Sequence, residues 1–309
     1  MLSSSSKNRQ ILILGGMPDE SRGNIIQMPI MKPQTNPLKQ ALFGRLFKLS
    51  RTRLFINPEI FSLKPDLVIL FDSGVTKNLL KQIEKAFPNA RLIFFYFNPV
   101  ALSFDIRLIP RRFEVWSYSA YDCEKYGIKK NTQVLNAHLR KKCEQVALLD
   151  VDRLYHAVFV GAEKKRGALL DFFAARLTKI GKPPFFYIVK NHKYSFSRRG
   201  KFRRKLSYED YLLLEHKSDV IIDCTTSEKA GITLRPLEAI ILKKKLITNC
   251  DELLHSELMN FGNIISISES DESLSAFFEK PFRAPPKETL EYYSFDSWIS
   301  RFDEAHPNI

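Results

Sequence analysis

The sequence predicts an α/β fold with two Rossmann-like domains facing each other across a cleft. Its 309 residues suit two domains of about 150 residues each. In both halves of the chain, short strands that are apolar along their whole length alternate with segments whose apolar residues recur at helical spacing. Strands of that kind, joined by helices, form parallel sheets whose two faces are both covered.

The first half holds predicted strands that are rich in β-branched or aromatic residues and bounded by turn residues. They are residues 10–14, 66–71, 91–97 and 113–118. Apolar residues at helical spacing predict a helix over 76–87, and a shorter helix over 119–127 ends at Gly127. Residues 1–145 are therefore predicted to form the first domain.

The second half repeats the alternation after a polar join near residues 136–154, and residues 146–285 are predicted to form the second domain. Its predicted strands are residues 156–160, 185–189, 219–223, 245–248 and 263–267. Its predicted helices are residues 165–180, 207–217, 233–242, 251–259 and 270–279. Ser207 and Asp210 form a capping box at the start of one of these helices.

Cysteine usage and hydropathy exclude several protein classes. The four cysteines show neither CxxC spacing nor the Cys/His spacing of a structural zinc site, and free cysteines suit a reducing cytoplasm. No signal peptide is recognisable, and the longest apolar runs fall far short of the roughly 20 residues that span a bilayer. We therefore expect a cytoplasmic protein that is neither secreted nor membrane-spanning.

The formal net charge of +14 indicates a polyanionic partner, which could be nucleic acid, an anionic membrane surface or a phosphorylated ligand. The charge is concentrated in residues 190–205, which contain eight Lys or Arg residues and no acid. A solvated basic loop, a surface for lipid phosphate or a phosphorylated ligand, and a nucleic-acid surface are all consistent with this segment.

Ligands of open parallel sheets bind beyond the carboxyl ends of the strands, so the loops that follow strands are the candidate sites. In the first half, the loop at residues 15–24 begins with two glycines and carries Asp19, Glu20 and Arg22. It could hold an acceptor or supply a general base, although a polar glycine turn explains it equally well. It has no GxGxxG, which argues against a dinucleotide site.

In the second half, Lys164, Lys165 and Arg166 stand at the start of a predicted helix, where cations oppose the helix dipole. A bound phosphate would explain them, because free amides, the dipole and the basic side chains would act together. Lys190 follows the next strand, at the same edge of the predicted sheet.

The strongest candidate loop follows the strand at 219–223. It leads into a helix that starts near Thr233 and has a proline in its first turn, where the missing amide hydrogen costs nothing. The unpaired amides of residues 232–235, with Arg235 beside them, can bind an anion. Glu238, one turn further on, can accept hydrogen bonds from two vicinal hydroxyls such as those of a ribose. Together these features predict a site for a nucleoside diphosphate.

Residues 219–250 resemble the nucleotide-binding segment of bacterial GT-B-type glycosyltransferases from capsule, exopolysaccharide and lipopolysaccharide biosynthesis. In that pattern an apolar strand ending in Asp is followed by a small polar loop, Gly-Leu-Thr-x-Arg-x-x-Glu-Ala and Lys-Lys-Leu-Ile-Thr. The matching residues are Gly231, Thr233, Arg235, Glu238, Ala239, Lys244, Lys245, Leu246, Ile247 and Thr248. Residues 113–128 resemble a strand and acidic helix that these proteins carry before the join between their domains.

The resemblance implies transfer of a sugar from a nucleotide donor, with UDP as the expected nucleotide, to a cell-surface glycan or a lipid-linked acceptor. The second domain would hold the donor, the first would hold the acceptor, and a C-terminal helix over residues 286–309 would pack back toward the first domain. Glu238 would bind the ribose hydroxyls. The implied donor-binding residues are Lys165, Arg166, Lys190, Thr225, Ser227, Gly231, Thr233, Arg235 and Glu238. One position departs from the family pattern, because the first Glu of the usual Glu-x7-Glu is Ala230 here.

The implied mechanism needs no metal and no cofactor, because amides and cations can stabilise the charge that develops on the departing diphosphate. An inverting enzyme would also need a base near the acceptor hydroxyl, for which Asp19 is the first candidate and Glu20 the second. A lipid-linked acceptor would place the protein on the inner face of the cell membrane, where residues 190–205 would bind anionic lipid.

Two other interpretations remain open. Asp150 and Asp152 form a D-x-D motif, which in GT-A glycosyltransferases binds Mn²⁺ or Mg²⁺ together with the donor phosphates. A non-catalytic protein could instead use residues 190–205, where aromatic residues stand among the cations, on nucleic acid or an anionic membrane. Neither half resembles a known nucleic-acid-binding module, so we expect no nucleic-acid partner.

Overall fold

The computed structural model describes residues 9–15, 21–32, 46, 56–164, 166–189, 203–226 and 230–304. The chain divides into two compact units, of which the first contains Met1–His138 and Phe295–Ile309, and the second contains Leu139–Ser294. The helix Ala137–Ala147 contains both this division and the predicted boundary between residues 145 and 146.

The strands, in chain order, are β1 (Ile11–Leu14), β2 (Ile25–Met28), β3 (Leu67–Phe71), β4 (Arg91–Tyr96), β5 (Phe113–Ser117), β6 (Lys129–Lys130), β7 (Tyr155–Ala162), β8 (Pro184–Val189), β9 (Ser218–Asp223), β10 (Lys245–Thr248) and β11 (Ile264–Ser266). The α-helices of the described residues are α1 (Lys77–Ala86), α2 (Ala120–Tyr126), α3 (Ala137–Ala147), α4 (Gly167–Lys179), α5 (Tyr208–His216), α6 (Arg235–Ile241), α7 (Asp251–Leu254), α8 (Asp271–Glu279), α9 (Lys287–Tyr292) and α10 (Phe295–Ser300). Short 3₁₀ helices cover Pro58–Ser62, Val100–Leu102, Ile106–Leu108 and Glu257–Phe261. None of the described helices is both long and apolar enough to cross a membrane.

The described strands of the first unit form one parallel sheet in the order β2-β1-β3-β4-β5-β6. The apolar residues of β1, β3 and β4 are buried on both faces of this sheet, as their unbroken apolar sequences predict. On one face, Leu12 and Val68 belong to the same buried cluster as Leu80 of α1. Helix α1 begins after Thr76, because the Thr76 hydroxyl accepts a hydrogen bond from the Leu79 amide at 3.1 Å.

Helix α10 supplies the core on the other face of this sheet. The Trp298 indole lies parallel to the Phe71 ring, with centroids 5.7 Å apart, and meets the Phe95 ring edge-on at 5.1 Å. Behind it, Arg301 donates to the Asn131 side chain at 2.8 Å, and Asn131 in turn donates to the Trp298 carbonyl at 3.0 Å. The C-terminal segment is therefore an integral part of the first unit.

The described strands of the second unit form a parallel sheet in the order β11-β10-β9-β7-β8. After β8 the chain returns to the opposite side of β7, so the strand order reverses between β7 and β9. On one face of this sheet, Phe159 and Ile222 belong to a buried cluster with Phe173 of α4 and Phe277 of α8. A reversal of this kind is where open parallel sheets bind ligands, beyond the carboxyl ends of the strands.

The structure confirms the predicted class of two α/β domains built on parallel sheets. The predicted strands agree with the observed ones to within two residues at each end, but three helical predictions need correction. The segment predicted as a polar join near residues 136–154 contains helix α3. The apolar pattern of this helix is weak, because only Cys143 and Val146 of its described residues are buried. The helix predicted over 251–259 ends at Leu254, and the C-terminal helix is divided into α9 and α10.

Substituting Trp298 tests the dependence of the first unit on α10. Trp298→Ala should lower its free energy of unfolding by about 3–5 kcal/mol, the usual cost of deleting a fully buried aromatic side chain. Trp298→Phe should lose much less, because it keeps a ring against Phe71 and removes a buried indole N–H that has no hydrogen-bond partner among the described residues.

Chemical denaturation followed by the fluorescence of Trp116 measures this unit selectively. The chain has two tryptophans, Trp116 and Trp298, and both belong to the first unit. Equal losses of stability in the Ala and Phe variants would contradict the packing role assigned to the ring.

Candidate functional site

Two arginines lie at the carboxyl ends of β7 and β9, where the strand order reverses. The first, Arg166, donates from its guanidinium to the Ala162 carbonyl at 2.9 Å and also to the Cys224 carbonyl. It thereby connects the loop after β7 to the loop after β9. Gly161 leaves room for the Phe159 ring beneath this guanidinium, because a Cβ there would lie 3.2 Å from that ring.

The second arginine, Arg235, starts α6 and is largely buried. Its Nη2 donates to the Val160 carbonyl at 2.8 Å, its Nε donates to Glu215 Oε1 at 3.3 Å, and its Nη1 lies 3.6 Å from Asp223 Oδ1. Burial lowers the pKa of Arg235, but Tyr211 and the nearby acids act in the opposite direction and raise it overall. The guanidinium of Arg235 is thus held by acceptors inside the unit.

Arg166 and Arg235 belong to a cluster of cations that also contains the exposed Lys164. Both guanidiniums lie over the Phe159 ring, at 4.9 and 5.3 Å from its centroid. Burial, followed by the charge of Arg235, lowers the pKa of Arg166 to about 10. The pKa of Lys164 is lowered, first by partial burial of its side chain and then by the charges of Arg166 and Arg235. A bound anion would stabilise this cluster, because like charges here oppose one another.

The start of α4 adds to the positive potential of the cluster. The helix runs for 13 residues directly after Arg166, and the side chain of Arg166, its N-cap residue, makes no capping hydrogen bond. Lys164 turns the chain from β7 toward the helix with a left-handed φ of 43°. The positive end of the α4 dipole and the side chains of Lys164 and Arg166 therefore act on the same region.

Glu238 faces α5, and its carboxylate is occupied by protein hydroxyls. The Tyr208 hydroxyl donates to Oε1 at 2.7 Å, the Tyr211 hydroxyl donates to Oε2 at 2.8 Å, and Glu238 is only 4% exposed. Burial, followed by nearby carboxylates, raises the pKa of both tyrosines, so both remain protonated donors. Two hydroxyls of the kind predicted for a ribose are present at Glu238, but both belong to the protein.

Glu215, also on α5, is fully buried and pairs with Arg235. Burial raises the pKa of Glu215 to about 8, the attraction of Arg235 opposes this rise, and the negative charge of Glu238 adds to it. Arg235 does not cancel the effect of burial, because its guanidinium is shared with Asp223 and a backbone carbonyl.

Hydroxyl and amide groups hold the loops after β9 and β10 together. The Thr225 amide and hydroxyl both donate to Asn249 Oδ1, at 2.8 and 3.2 Å, and the Thr248 hydroxyl donates to Asp223 Oδ2 at 3.0 Å. The Thr233 hydroxyl is buried and has no hydrogen-bond partner in the described part of the chain. A hydrogen bond to a ligand would therefore satisfy a group that is costly to leave unpaired.

The comparisons with known proteins identify the architecture. No family model matches the chain, and no curated protein matches its sequence. Among solved structures, the chain is similar to the alpha,alpha-trehalose 6-phosphate synthase of Burkholderia multivorans, with 10% identity, a TM-score of 0.50, and coverage of 97% of this chain and 92% of that chain. The fold is of the GT-B type.

Two further solved structures are more distant in shape. The UDP-GlcNAc 2-epimerase of Methanocaldococcus jannaschii has 14% identity and a TM-score of 0.46, over 95% of this chain and 98% of that chain. The spinosyn rhamnosyltransferase SpnG has 11% identity and a TM-score of 0.33, over 91% of this chain and 82% of that chain. At these identities the similarity concerns the fold alone.

Within this GT-B fold, part of the predicted donor site lies near the carboxyl ends of β7 and β9. The predicted residues found in that region or on α6 beside it are Arg166, Thr225, Gly231, Thr233, Arg235 and Glu238. The other predicted residues, Asp19, Glu20, Lys165, Lys190 and Ser227, lie outside the described residues. Asp150 and Asp152 of the D-x-D motif are exposed in the loop before β7, at the amino-terminal edge of the sheet.

Sequence reasoning missed the α5 residues that contact the candidate site. Tyr208, Tyr211 and Glu215 are spaced at i, i+3 and i+7, which places them on one face of a helix. That spacing was the available signal, because polar residues repeated along a helix face that also buries Leu212 require partners in the protein. The identity of those partners, Arg235 and Glu238, depends on tertiary packing.

The raised pKa of Glu215 predicts an unusual dependence of stability on pH. The folded pKa of about 8 exceeds the ordinary value of 4.5, so the folded state binds the proton more tightly than the unfolded state. The stability that Glu215 contributes is full below about pH 4.5 and is lost as the pH rises through about 8. Over this pH range we expect the free energy of unfolding of the wild type to fall by an amount on the order of a few kcal/mol. The Glu215→Gln variant should show little of this fall.

The measurement is chemical denaturation followed by far-ultraviolet circular dichroism at a series of pH values. Glu209→Gln is the matched control, because Glu209 lies on the same helix and is about half exposed. Its pH dependence should follow the wild type. Identical pH dependence of stability in the wild type and in Glu215→Gln would contradict the raised pKa of Glu215.

Proposed function

We propose that the chain is a glycosyltransferase that moves a sugar from a nucleoside-diphosphate donor, with UDP as the expected nucleotide, to a glycan or lipid-linked acceptor. The observation that carries the proposal is the cation cluster of Lys164, Arg166 and Arg235 at the reversal between β7 and β9. The fold is shared with a trehalose 6-phosphate synthase, whose name supports a carbohydrate product.

The proposed donor site separates two roles among its cations. Arg235 contacts Glu215 and Asp223 and serves mainly to hold the elements together. The described hydrogen bonds of Arg166 go to backbone carbonyls, and Lys164 is exposed, so these two cations can act on a diphosphate. Negative charge that develops on the diphosphate as the glycosyl–phosphate bond breaks would be stabilised by cations and a helix dipole that are already in place.

The acceptor side of the proposal concerns the loop after β1. Gly15 leaves the strand with a φ of 124°, and a Cβ there would lie 3.1 Å from the Phe71 Cβ at the end of β3. Glycine is therefore required where this loop departs from the carboxyl edge of the first sheet. Asp19 remains the proposed base for an inverting transfer and Glu20 the alternative, since both follow this turn in the chain.

Calorimetric titration with UDP, GDP, CDP and dTDP in the presence of EDTA tests the donor site. We expect one diphosphate to bind without metal. Lys164→Asn should weaken this binding about five-fold, because an exposed cation contributes up to about 1 kcal/mol to an ion pair and five-fold corresponds to that energy. Asparagine also tolerates the left-handed backbone at this position.

Lys243→Asn is the matched control for this titration. Lys243 is also exposed and also left-handed, with a φ of 55°, but it precedes β10 at the amino-terminal edge of the same sheet. Its substitution removes the same charge and should leave diphosphate binding unchanged. Equal losses in both variants would contradict the proposed site. Binding that requires Mn²⁺ and ignores Lys164 would favour Asp150 and Asp152 instead.

We also propose that residues 190–205 hold the protein on the anionic inner face of the cell membrane, where a lipid-linked acceptor would reside. The proposal rests on the eight cations of this segment. In the described part of the segment, Arg203 lies over the rings of Phe185 and Tyr187, at 5.2 and 5.1 Å from their centroids. This anchors the end of the segment on β8.

Vesicle flotation tests the membrane proposal. The protein should float with vesicles that contain phosphatidylglycerol, should not float with neutral vesicles, and should dissociate as salt is raised. Replacing Arg198, Arg199 and Lys201 by Ser should abolish flotation. The control replaces Lys77, Lys81 and Lys85, three exposed lysines of α1, by Ser and removes the same charge. Flotation that does not depend on anionic lipid would refute the proposal.

A further inference from the structure

The environment of Glu238 bears on which nucleotides the proposed donor site accepts. A carboxylate that recognises a ribose does so by accepting hydrogen bonds from the 2′- and 3′-hydroxyls. In this chain the two oxygens of Glu238 already accept hydrogen bonds from Tyr208 at 2.7 Å and Tyr211 at 2.8 Å. A phenolic hydroxyl and a sugar hydroxyl are both O–H donors, so each tyrosine takes one acceptor position on its oxygen, and the burial of Glu238 limits access to the other.

Packing keeps the two tyrosines in place. Their rings stack with centroids 5.8 Å apart, and the Tyr208 hydroxyl also lies 3.4 Å from the thiol of Cys143 on α3. Tyr208 and Tyr211 lie on successive turns of α5. The start of this helix is capped by the Ser207 hydroxyl, which accepts a hydrogen bond from the Asp210 amide. Rotating the Tyr208 ring away from Glu238 would break the stack and the contact with Cys143, and rotating the Tyr211 ring would break the stack.

A ribose could reach Glu238 only at a high cost. It would have to displace the hydrogen bonds that the two tyrosine hydroxyls donate to the Glu238 side chain. It would also leave the displaced hydroxyls of Tyr208 and Tyr211, two half-buried residues, without this acceptor. Because Glu238 is only 4% exposed, there is little open surface through which a ligand could add to the existing contacts.

The diphosphate and the ribose are therefore expected to contribute very differently to binding. The cations that can hold the diphosphate, Lys164 and Arg166, make no described hydrogen bond to Glu238 or to the tyrosines. Phosphate binding does not require the Glu238 carboxylate to be released.

We infer that Tyr208 and Tyr211, by occupying Glu238, make the donor site indifferent to the 2′-hydroxyl of the nucleotide. The inference rests on the proposed donor function and extends it to the class of substrate. Donors built on ribose and on 2′-deoxyribose bind alike, and any selection between nucleotides comes from the base. Tyr208 and Tyr211 act on specificity through Glu238, and neither touches the nucleotide.

The test compares UDP with 2′-deoxyuridine diphosphate, which differ only at the 2′-position, by calorimetric titration of the full chain in EDTA. For the wild type we expect the two dissociation constants to agree within about three-fold, which corresponds to a difference of about 0.6 kcal/mol in binding free energy. Glu238→Gln should leave that ratio unchanged. This variant keeps a side-chain oxygen toward the tyrosines, and circular dichroism establishes that it is folded.

Each outcome decides between the alternatives. A preference for UDP above about three-fold overturns the inference, and loss of this preference in Glu238→Gln would identify Glu238 as the group that reads the ribose. Should Glu238→Gln fail to fold, the wild-type ratio alone decides. Uridine monophosphate, which lacks the β-phosphate, is the control. It should bind more weakly than UDP if the titration measures binding of the diphosphate. If neither diphosphate binds, the proposed donor function fails together with the inference, whereas equal binding supports both.

Discussion

The second unit depends on the burial of one guanidinium, that of Arg235. This group bonds the Val160 carbonyl in β7, pairs with Glu215 of α5 and approaches Asp223 at the end of β9, so it connects elements that are distant in sequence. A planar guanidinium can donate in several directions at once, which the single ammonium of lysine cannot do with the same geometry. Loss of any partner would leave a buried charge with less compensation, and this makes the cluster a constraint on all three elements.

The same constraint determines where the second unit is positive. Glu215 and Asp223 are committed to Arg235, whereas the neighbouring Arg166 is bonded to the carbonyls of Ala162 and Cys224. Carbonyls orient a guanidinium without neutralising it. The uncompensated charge therefore lies on the β7 side of the reversal, together with Lys164 and the start of α4, and an anion is attracted there rather than to the buried side of α6.

Most strands could be predicted from sequence because each contains a short apolar run. Leu67–Phe71, for example, is buried at every residue. The strands β2, which ends in Gln27 and Met28, and β6, which consists of Lys129 and Lys130, were not predicted. Helix α3 escaped prediction because its burial is confined to Cys143 and Val146, which is too little to produce a clear helical period. At the candidate site, the spacing after β9 drew attention to Arg235 and Glu238, which lie on or at the start of α6. Their partners could not be foreseen, because Tyr208, Tyr211 and Glu215 meet them only through the packing of α5 on α6.

The two lysines of the Lys-Lys-Leu-Ile-Thr motif show how a resemblance can report on a fold more than on a site. Lys244 is buried and donates to the Ser218 carbonyl at 2.6 Å. Lys245 donates to the carbonyls of Phe277, Phe278 and Lys280 at 2.6 to 2.7 Å, and so satisfies the C-terminal end of α8. Both cations therefore satisfy backbone carbonyls at the start of β9 and at the end of α8. The case for an anionic ligand consequently rests on Lys164 and Arg166 at the reversal between β7 and β9, which form no salt bridge with a carboxylate of the described residues.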